Sequence, residues 1–481
     1  MLRISAHTFG CKLNQSETDS ALNILEDSGY QLVPWDSGAD LYLVNTCTVT
    51  TKGEQKARRL IRQVQQHSPQ AVVLAAGCYA VLERRKLEAL GPRVCALPDQ
   101  PAGLCQLLAQ KPLANSDELL EVLRGAVAEQ LAGGGRSLLP GVARRTDFPE
   151  VLLSRERAGG LPPGAKGRKS SKPRQRYFLK IQDGCNRTCS FCRIRLARGP
   201  SRSLDLPLLV QRLQELEAQG YAEAVITGVH INSYHYREQE RDYFLGELLE
   251  ALLSQTERIR LRLSSLEPES LASERGQKLL RALASRRVCP HFHISVQSGS
   301  EHILRQMRRG YTAAQQQRYI DRLKELRPAA FFSCDVIVGF PGEREEDFAA
   351  TCALLRDKGF AAVHGFSYSP RPGTDAFAMP KLQESLVKER MQRLQALGAE
   401  LQRDYLRQCL GQSVEVLLEE VRAGYWLGYS ENYVRTRIAV PKDDLKNDRW
   451  RQGDLIRVRL QRELAETVEN QGELEGFPLE S

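Results

Sequence analysis

The 481-residue sequence predicts an α/β protein of two to four domains, at roughly 150 residues per domain. An N-terminal open parallel α/β sheet, a central open (β/α)6 partial barrel and a small C-terminal antiparallel β-barrel are expected. Three observations predict this. Strand-length apolar runs alternate with helical patterns over residues 1–112. The same alternation occurs six times over residues 177–381. From Gln412 the period changes to two, with Gly and Asn turns between short runs.

In the first stretch, Leu2–Thr8, Leu41–Thr46 and Ala71–Ala76 are near-continuous apolar runs, as expected of strands buried on both faces of a parallel sheet. Helical patterns at Gln15–Ser28 and Lys52–Gln66 lie between them, in βαβ order. A cysteine follows each strand: Cys11, Cys47 and Cys78. Loops at the carboxyl ends of parallel strands converge, so these cysteines are expected to meet in space and to hold three corners of an iron–sulfur cube. Small buried thiols at strand ends are the plainer reading.

Residues 113–176 read as a connection: a helix over Asn115–Leu131, then Gly133–Gly135 and the segment LPPGAKGRKSSKPR at 161–174. Between Arg136 and Arg202 seventeen Lys or Arg face four Asp or Glu, so this stretch is more basic than the whole chain at +9. Such a run follows a phosphate backbone or is a solvated linker.

The central repeats place strands at Tyr177–Gln182, Ala222–Val229, Ile259–Ser265, His291–Gln297, Phe332–Phe340 and Ala361–Tyr368. Helices follow at Pro207–Gln219, Gly246–Leu253, Gln277–Ala284, Glu301–Arg308, Ala313–Leu326 and Glu345–Asp357. Six repeats fall short of the eight that close a full barrel, so a side cleft wide enough for a macromolecule is expected. Polar, Gly-rich and Pro-rich segments gather at the carboxyl ends of these strands. One of them carries Cys185, Cys189 and Cys192 in a C-x3-C-x2-C array. Three thiolates within eight residues suit three irons of a cube, leaving the fourth open to a non-protein ligand. Structural zinc usually takes two separated pairs instead.

A long charged helix is expected over 382–411, then the barrel over 412–464 with strands in SVEVLLEE, YVRTRIAV and DLIRVRL. Tyr425, Trp426, Tyr429 and Tyr433 mix with Arg435, Arg437, Arg457 and Arg459. Aromatics among cations suit base stacking and phosphate contact; an aromatic barrel core with an Arg-rich solvent face is the alternative. Residues 465–481 read as a structureless acidic tail. Cys95, Cys105, Cys289, Cys334, Cys352 and Cys409 share no spacing and read as structural. His230, His291 and His293 read as hydrogen-bonded core residues. No 18-residue apolar run exists, and MLRISAHTFG lacks the charged and apolar regions of a signal peptide. A cytoplasmic protein with reduced thiols and no membrane partner is expected.

The C-x3-C-x2-C array after a strand resembles the radical S-adenosylmethionine (SAM) superfamily. HTFGCKLNQSET, LVNTCTVTTKGEQKARRLIRQ and AAGCYA resemble the N-terminal domain of its methylthiotransferases. TFGCKLNQ and NTCTVT are most similar to the branch acting on threonylcarbamoyladenosine (t6A) in tRNA, and the final barrel resembles the TRAM RNA-binding module. The resemblance implies two [4Fe–4S] clusters. Cys185, Cys189 and Cys192 would hold the one whose open iron binds SAM, to be split into methionine and a 5′-deoxyadenosyl radical. Cys11, Cys47 and Cys78 would hold the auxiliary one, with Asn14 and Asn45 beside it. Thr227 and Gly228 would lie near the SAM amino group, and Ser265, Glu267 and Gln297 near its ribose or methionine end. RNA contacts would fall to Arg435, Arg437, Tyr433 and Trp426. The implied partners are tRNA, at adenosine 37 of the anticodon loop, an electron donor and a sulfur donor. The implied reaction adds a methylthio group to C2 of t6A. The same chemistry on isopentenyladenosine or a ribosomal-protein aspartate, and a non-catalytic iron–sulfur RNA-binding protein, are the alternatives. One departure stands out. The family follows the third cysteine with apolar residues before an Arg-Gly pair, whereas here CRIRLARG adds Arg193 and Arg195. These cations are expected to raise the cluster potential or to touch RNA.

Overall fold

In the computed structural model, side chains of the first apolar runs alternate between two faces of one sheet. The structure describes residues 2–98, 175–269, 273–439, 450–463 and 473–479, together with 101, 105, 108, 113, 115–132 and 271. The basic stretch 133–174 lies outside the described residues. The chain divides into two compact units. The first takes the N-terminal region with Asp183–Asn186 and Cys192–Arg202, and the second takes the rest.

In the first unit β1 (Arg3–Thr8), α1 (Lys12–Asp27), β2 (Gln31–Leu32), β3 (Leu41–Thr46), α2 (Thr51–His67), β4 (Val72–Gly77), α3 (Cys78–Leu82) and β5 (Val94–Ala96) follow in chain order. The strands are all parallel, in the order β2-β1-β3-β4-β5. Leu41, Leu43, Val72, Leu74 and Ala76 pack on one face against Ala21 and Leu25 of α1 and the helix Ser116–Ala132. Tyr42, Val44, Val73 and Ala75 pack on the other against Ala57, Ile61 and Val64 of α2. Burial on both faces is why these strands read as continuous apolar runs. The Thr50 side chain caps α2 by accepting from the Gly53 N–H. The strand order reverses between β1 and β3, the topological switch point at which doubly wound sheets place ligands.

In the second unit, parallel strands Arg176–Lys180, Glu223–Thr227 and Arg260–Leu263 form one ladder. Ser265–Leu266, His291–Gln297, Phe331–Val338 and Ala362–Ser367 form another. The third strand is broken at Ser264, so it belongs to both. Together they make the six expected strands, and among the described residues no ladder joins the first to the last. Helices Leu206–Ala218, Leu245–Ser254, Glu274–Leu283, Ala313–Leu326 and Glu345–Asp357 are among those that cover the sheet, and one apolar core runs through all six repeats. A hairpin, His235–Glu238 with Arg241–Phe244, was not expected; it sits between the second strand and its helix.

The helix Glu384–Cys409 lays Leu394, Leu397 and Leu401 into that core and leads to a closed barrel of Ser413–Arg422, Tyr425–Ser430, Arg435–Ala439, Leu455–Glu463 and Glu473–Pro478. The barrel corrects two expectations. Glu473–Pro478, assigned above to a structureless tail, is its closing strand, antiparallel to Leu455–Glu463 and parallel to Arg435–Ala439. The barrel is therefore not wholly antiparallel and extends past residue 464. Leu474 is fully buried, and Arg435 Nε holds the buried Glu473 carboxylate at 2.7 Å, which is how an acidic segment enters a barrel wall.

The barrel docks on the amino ends of the central strands. Arg260 Nη1 donates to the Glu415 carbonyl (3.2 Å) and Arg262 Nη1 to the Glu431 carbonyl (3.0 Å). Arg176 pairs with Glu419 at 2.8 Å. The chemistry-bearing carboxyl ends lie at the opposite rim.

Candidate active site

Cys11 N-caps α1 after β1, Cys47 follows β3, and Cys78 opens α3 after β4, so all three stand at carboxyl ends beside the switch point. Asn14 ties two of the loops together, its Nδ2 donating to the carbonyls of Phe9 (2.9 Å) and Thr46 (3.1 Å). Asn45 Nδ2 donates to the Asn14 carbonyl at 2.8 Å, and Thr46 Oγ1 donates to Ala76 (2.6 Å) and accepts from the Ala80 N–H (3.2 Å). Gly10 has φ +101°, and a Cβ there would lie 3.0 Å from Cys47 Sγ, so a side chain would fill the space beside the thiol.

Burial, helped by the neighbouring Cys78 and Cys11, pushes the Cys47 thiol up to about 12, against the Val49 N–H that points at its sulfur and the Arg198 charge. Burial likewise raises Cys78, while the Arg198 charge pulls it down and Cys11 and Glu17 oppose that pull. Each thiol thus lies within electrostatic reach of the others. Three converging soft donors, with N–H groups already aimed at two of the sulfurs, fit an iron–sulfur cluster.

The second cysteine loop enters through Gly184, where φ is +68° and a Cβ would strike the Pro200 carbonyl oxygen at 1.9 Å. The Cys185 N–H donates to the Gly199 carbonyl (3.1 Å) and the Ile194 N–H to Cys192 Sγ (3.4 Å). Arg193, one of the two unexpected cations, is buried and bonded to Glu83 (3.0 Å), with Glu54 at 3.9 Å. Arg195 is exposed. Of the three arginines in CRIRLARG, the one that reaches a thiol is Arg198 of the Arg-Gly pair, with Nε 3.1 Å from Cys78 Sγ.

In the second unit Arg309 Nη1 donates to Cys189 Sγ at 3.3 Å, and its Nε to the Tyr311 hydroxyl at 3.1 Å. Arg309 also pairs with Glu267. Glu267 further receives Arg187 Nε (3.0 Å) and His230 Nε2 (2.6 Å). Burial alone would raise the Glu267 carboxyl; the His230 hydrogen bond and the Arg309, His230 and Arg187 charges hold it down at about 2. Glu269, 3.9 Å from His230 Nε2, is raised by burial and by Glu267. These groups gather at the carboxyl ends of the strands. Thr227, fully buried, ends the second strand. A Cβ on Gly228 would lie 2.9 Å from Gln182 Oε1, which accepts the His230 N–H at 2.9 Å. Ser265 opens the short strand after the break. Gln297 ends its strand with φ +61°, beside a register shift, the kind of backbone strain that concentrates at functional sites. The rim thus carries all five candidate SAM contacts. Sequence reasoning missed Arg187, Arg309 and Tyr311, and read His230 as a core residue; their contacts span sequence separations of up to 120 residues, which no local pattern reports.

The candidate RNA contacts divide. Tyr433 is withdrawn as a stacking platform, because His291 (4.2 Å) and Tyr429 (4.8 Å) stack on its ring and Arg262 lies over it at 5.0 Å. Trp426 is half-buried against the barrel core. Arg435 is paired with Glu473, and Arg437 lies over the Tyr425 ring at 4.5 Å.

Six parallel strand-and-helix repeats, with a C-x3-C-x2-C array following the first strand in the chain, define a radical SAM enzyme, and the family described as the radical SAM superfamily matches residues 179–355. Residues 3–97 match a family described as uncharacterized protein family UPF0004. Over 463 residues, covering 90% of this chain and 94% of the relative, the chain is 37% identical to the threonylcarbamoyladenosine tRNA methylthiotransferase MtaB of Treponema pallidum. It is 32% identical to the enzyme of the same name from Bacillus subtilis, over 96% of this chain and 94% of the relative. For the Aquifex aeolicus enzyme the identity is 32%, over 95% of this chain and all of the relative. The chain belongs to this MtaB family of radical SAM tRNA methylthiotransferases, which use SAM and [4Fe–4S] clusters. No described helix is long and apolar enough to cross a membrane.

Proposed function

We propose that this enzyme adds a methylthio group to C2 of t6A at position 37 of tRNA. The observation that carries the reading is the convergence of Cys11, Cys47 and Cys78 at the switch point of the N-terminal sheet, beside a chain whose central barrel carries its own three-cysteine loop. One thiol triad suffices for radical chemistry; a second one, built by a separate fold, is what sulfur insertion adds. The substrate base is read from the likeness to relatives named for t6A.

Cys185, Cys189 and Cys192 would hold the cluster that binds SAM, and Cys11, Cys47 and Cys78 the auxiliary cluster. Together with SAM these groups, when bound, supply the one-electron chemistry and the sulfur that an inert ring C–H, with no acid–base handle, requires. The chain's own residues position and shield. Arg309 donates to Cys189 and is itself held by Glu267, which fixes the sulfur's orientation. Glu267, ionised at any physiological pH, is an acceptor for sugar hydroxyls. Thr227 and the Gly228 backbone would meet the SAM amino group, and Ser265 and Gln297 the ribose or methionine end. Arg437 and Trp426 of the C-terminal barrel remain the proposed RNA contacts. Because that barrel docks at the amino ends of the strands, RNA touching both it and the rim must span about 17 Å, five residues of strand. An electron donor and a sulfur donor act from outside the chain.

Anaerobic reconstitution tests the cluster assignment. About eight irons per chain are expected, two cubes of four, falling to about four in Cys78→Ala with the SAM-binding cluster retained. Four irons in the unaltered chain would remove the auxiliary cluster, and zinc in place of iron would remove the class. Binding of tRNA should weaken steeply with salt; salt-insensitive binding would count against the basic surfaces.

A further inference from the structure

Arg198 ends the short helix Ile194–Arg198, six residues after Cys192, and every nitrogen of its guanidinium is engaged. Nε donates to Cys78 Sγ (3.1 Å). Nη1 donates to Glu17 Oε1 (2.7 Å) and Asp183 Oδ1 (3.1 Å). Nη2 donates to Asn14 Oδ1 (2.7 Å) and Glu17 Oε2 (3.0 Å). The side chain is 7% exposed, Glu17 5% and Asp183 0%. The two Glu17 contacts form a fork-to-fork pair, the strongest and most directional arrangement open to arginine. The carboxylates fix the plane of the guanidinium so that its remaining donor, Nε, points at one sulfur. Removing an arginine from water is costly unless partners are supplied, and here one partner is a candidate cluster ligand.

We propose that Arg198 sets the reduction potential of the auxiliary cluster, with Glu17 as its opposing weight; the inference rests on the reading that Cys11, Cys47 and Cys78 hold that cluster. A cation and an N–H directed at a ligand sulfur stabilise the more negative, reduced form and raise the potential. Glu17 does the reverse, since its charge reaches Cys78 as well. The two extra cations of CRIRLARG do not serve here: Arg193 is bonded to Glu83 and Arg195 is exposed. Arg198 also meets Asp183, two residues before Cys185, so one guanidinium grips the entry and the exit of the second cysteine loop while touching the first set of thiols. Arg198 is thus a positioning residue that acts through Cys78.

The test is electron paramagnetic resonance of both reduced clusters at a series of fixed potentials, on the reconstituted full chain with iron counted in each sample. Arg198→Gln should lower the auxiliary potential, so that the reduced-to-oxidised ratio at the unaltered midpoint falls at least tenfold, 59 mV for a one-electron couple. Arg198→Lys, which keeps the charge and loses the fork, should fall between. Glu17→Gln should move the auxiliary potential upward. The SAM-binding cluster, whose thiols Arg198 does not touch, should shift less than the auxiliary one in all three. A purely structural pin would shift no potential, or would shift both variants the same way, and either result overturns the proposal. If Arg198→Gln loses the auxiliary irons, Glu17→Gln decides alone: an upward shift supports the proposal and no shift overturns it. Four irons in the unaltered chain would overturn the cysteine reading itself, a result distinct from eight irons with unmoved potentials.

Discussion

Glu223→Gln should detach the C-terminal barrel's support from the central domain. Glu223 is fully buried at the first position of its strand, and its oxygens accept Arg260 Nε (2.7 Å) and Arg262 Nε and Nη2 (2.7 and 2.9 Å). The same arginines donate onward to the carbonyls of Glu415, Glu431 and Ser430 in the barrel. Burial alone would raise this carboxyl, but the two arginines hold it far below the carboxylate range. The amide is isosteric but neutral, and it takes from two buried guanidiniums the one carboxylate that both pair with. Breaking a buried pair in this way costs about 3–5 kcal/mol; with two cations stranded we expect the upper half, about 4 kcal/mol. With a urea slope of about 2 kcal/mol per molar, the transition that reports the barrel should move down by about 2 M. The chain has three tryptophans, Trp35, Trp426 and Trp450, so fluorescence in a Trp35→Phe background reports the C-terminal barrel alone. Replacing Arg262 by Met as well should recover part of the loss, a non-additivity of at least about 1 kcal/mol for groups in direct contact. A midpoint that stays within about 0.3 M of the parent, or strictly additive variants, would refute the claim that this network holds the barrel in place.

Two further outcomes follow from the site. The folded Glu267 carboxyl titrates at about 2 instead of the usual 4.5, so its stabilisation is fully present above pH about 4.5 and fades as pH falls towards 2, by at most about 3 kcal/mol. Glu267→Gln should flatten that acid limb in pH-dependent unfolding of the cluster-free chain, and an unchanged limb would contradict the assignment. Gly10→Ala forces a side chain into a left-handed backbone 3.0 Å from Cys47 Sγ and should bring iron down to about four per chain, with the circular dichroism of the fold retained. Eight irons in that variant would show that the space beside Cys47 is not needed.

Much of the architecture is legible in the amino-acid pattern. The βαβ alternation and the cysteine after each of β1, β3 and β4 are local signals, and parallel-sheet topology converts them into a shared site. The strand break at Ser264 and the two-residue strand β2 carry no such signal, because a few residues are too short for periodicity to register. Glu473–Pro478 looked like tail because its acids dominate; the buried partner that neutralises Glu473 is Arg435, in another strand. Arg198 and Arg309 were invisible for a related reason. Their partners, Cys78, Glu17 and Glu267, lie 120, 181 and 42 positions away, and only the folded chain shows which of many arginines faces a thiol. Arg193 departs from the family pattern, yet it is Arg198, of the Arg-Gly pair that follows, whose Nε reaches Cys78 Sγ.

The central claim is sulfur insertion into t6A of tRNA, and mass spectrometry of tRNA nucleosides from a strain lacking the gene tests it most directly. We predict that the 2-methylthio form of t6A disappears while t6A itself remains, and that the intact gene restores it whereas Cys78→Ala and Cys189→Ala do not. Persistence of 2-methylthio-t6A in that strain, with no second copy of the gene present, or loss of the methylthio group from isopentenyladenosine instead, would contradict it.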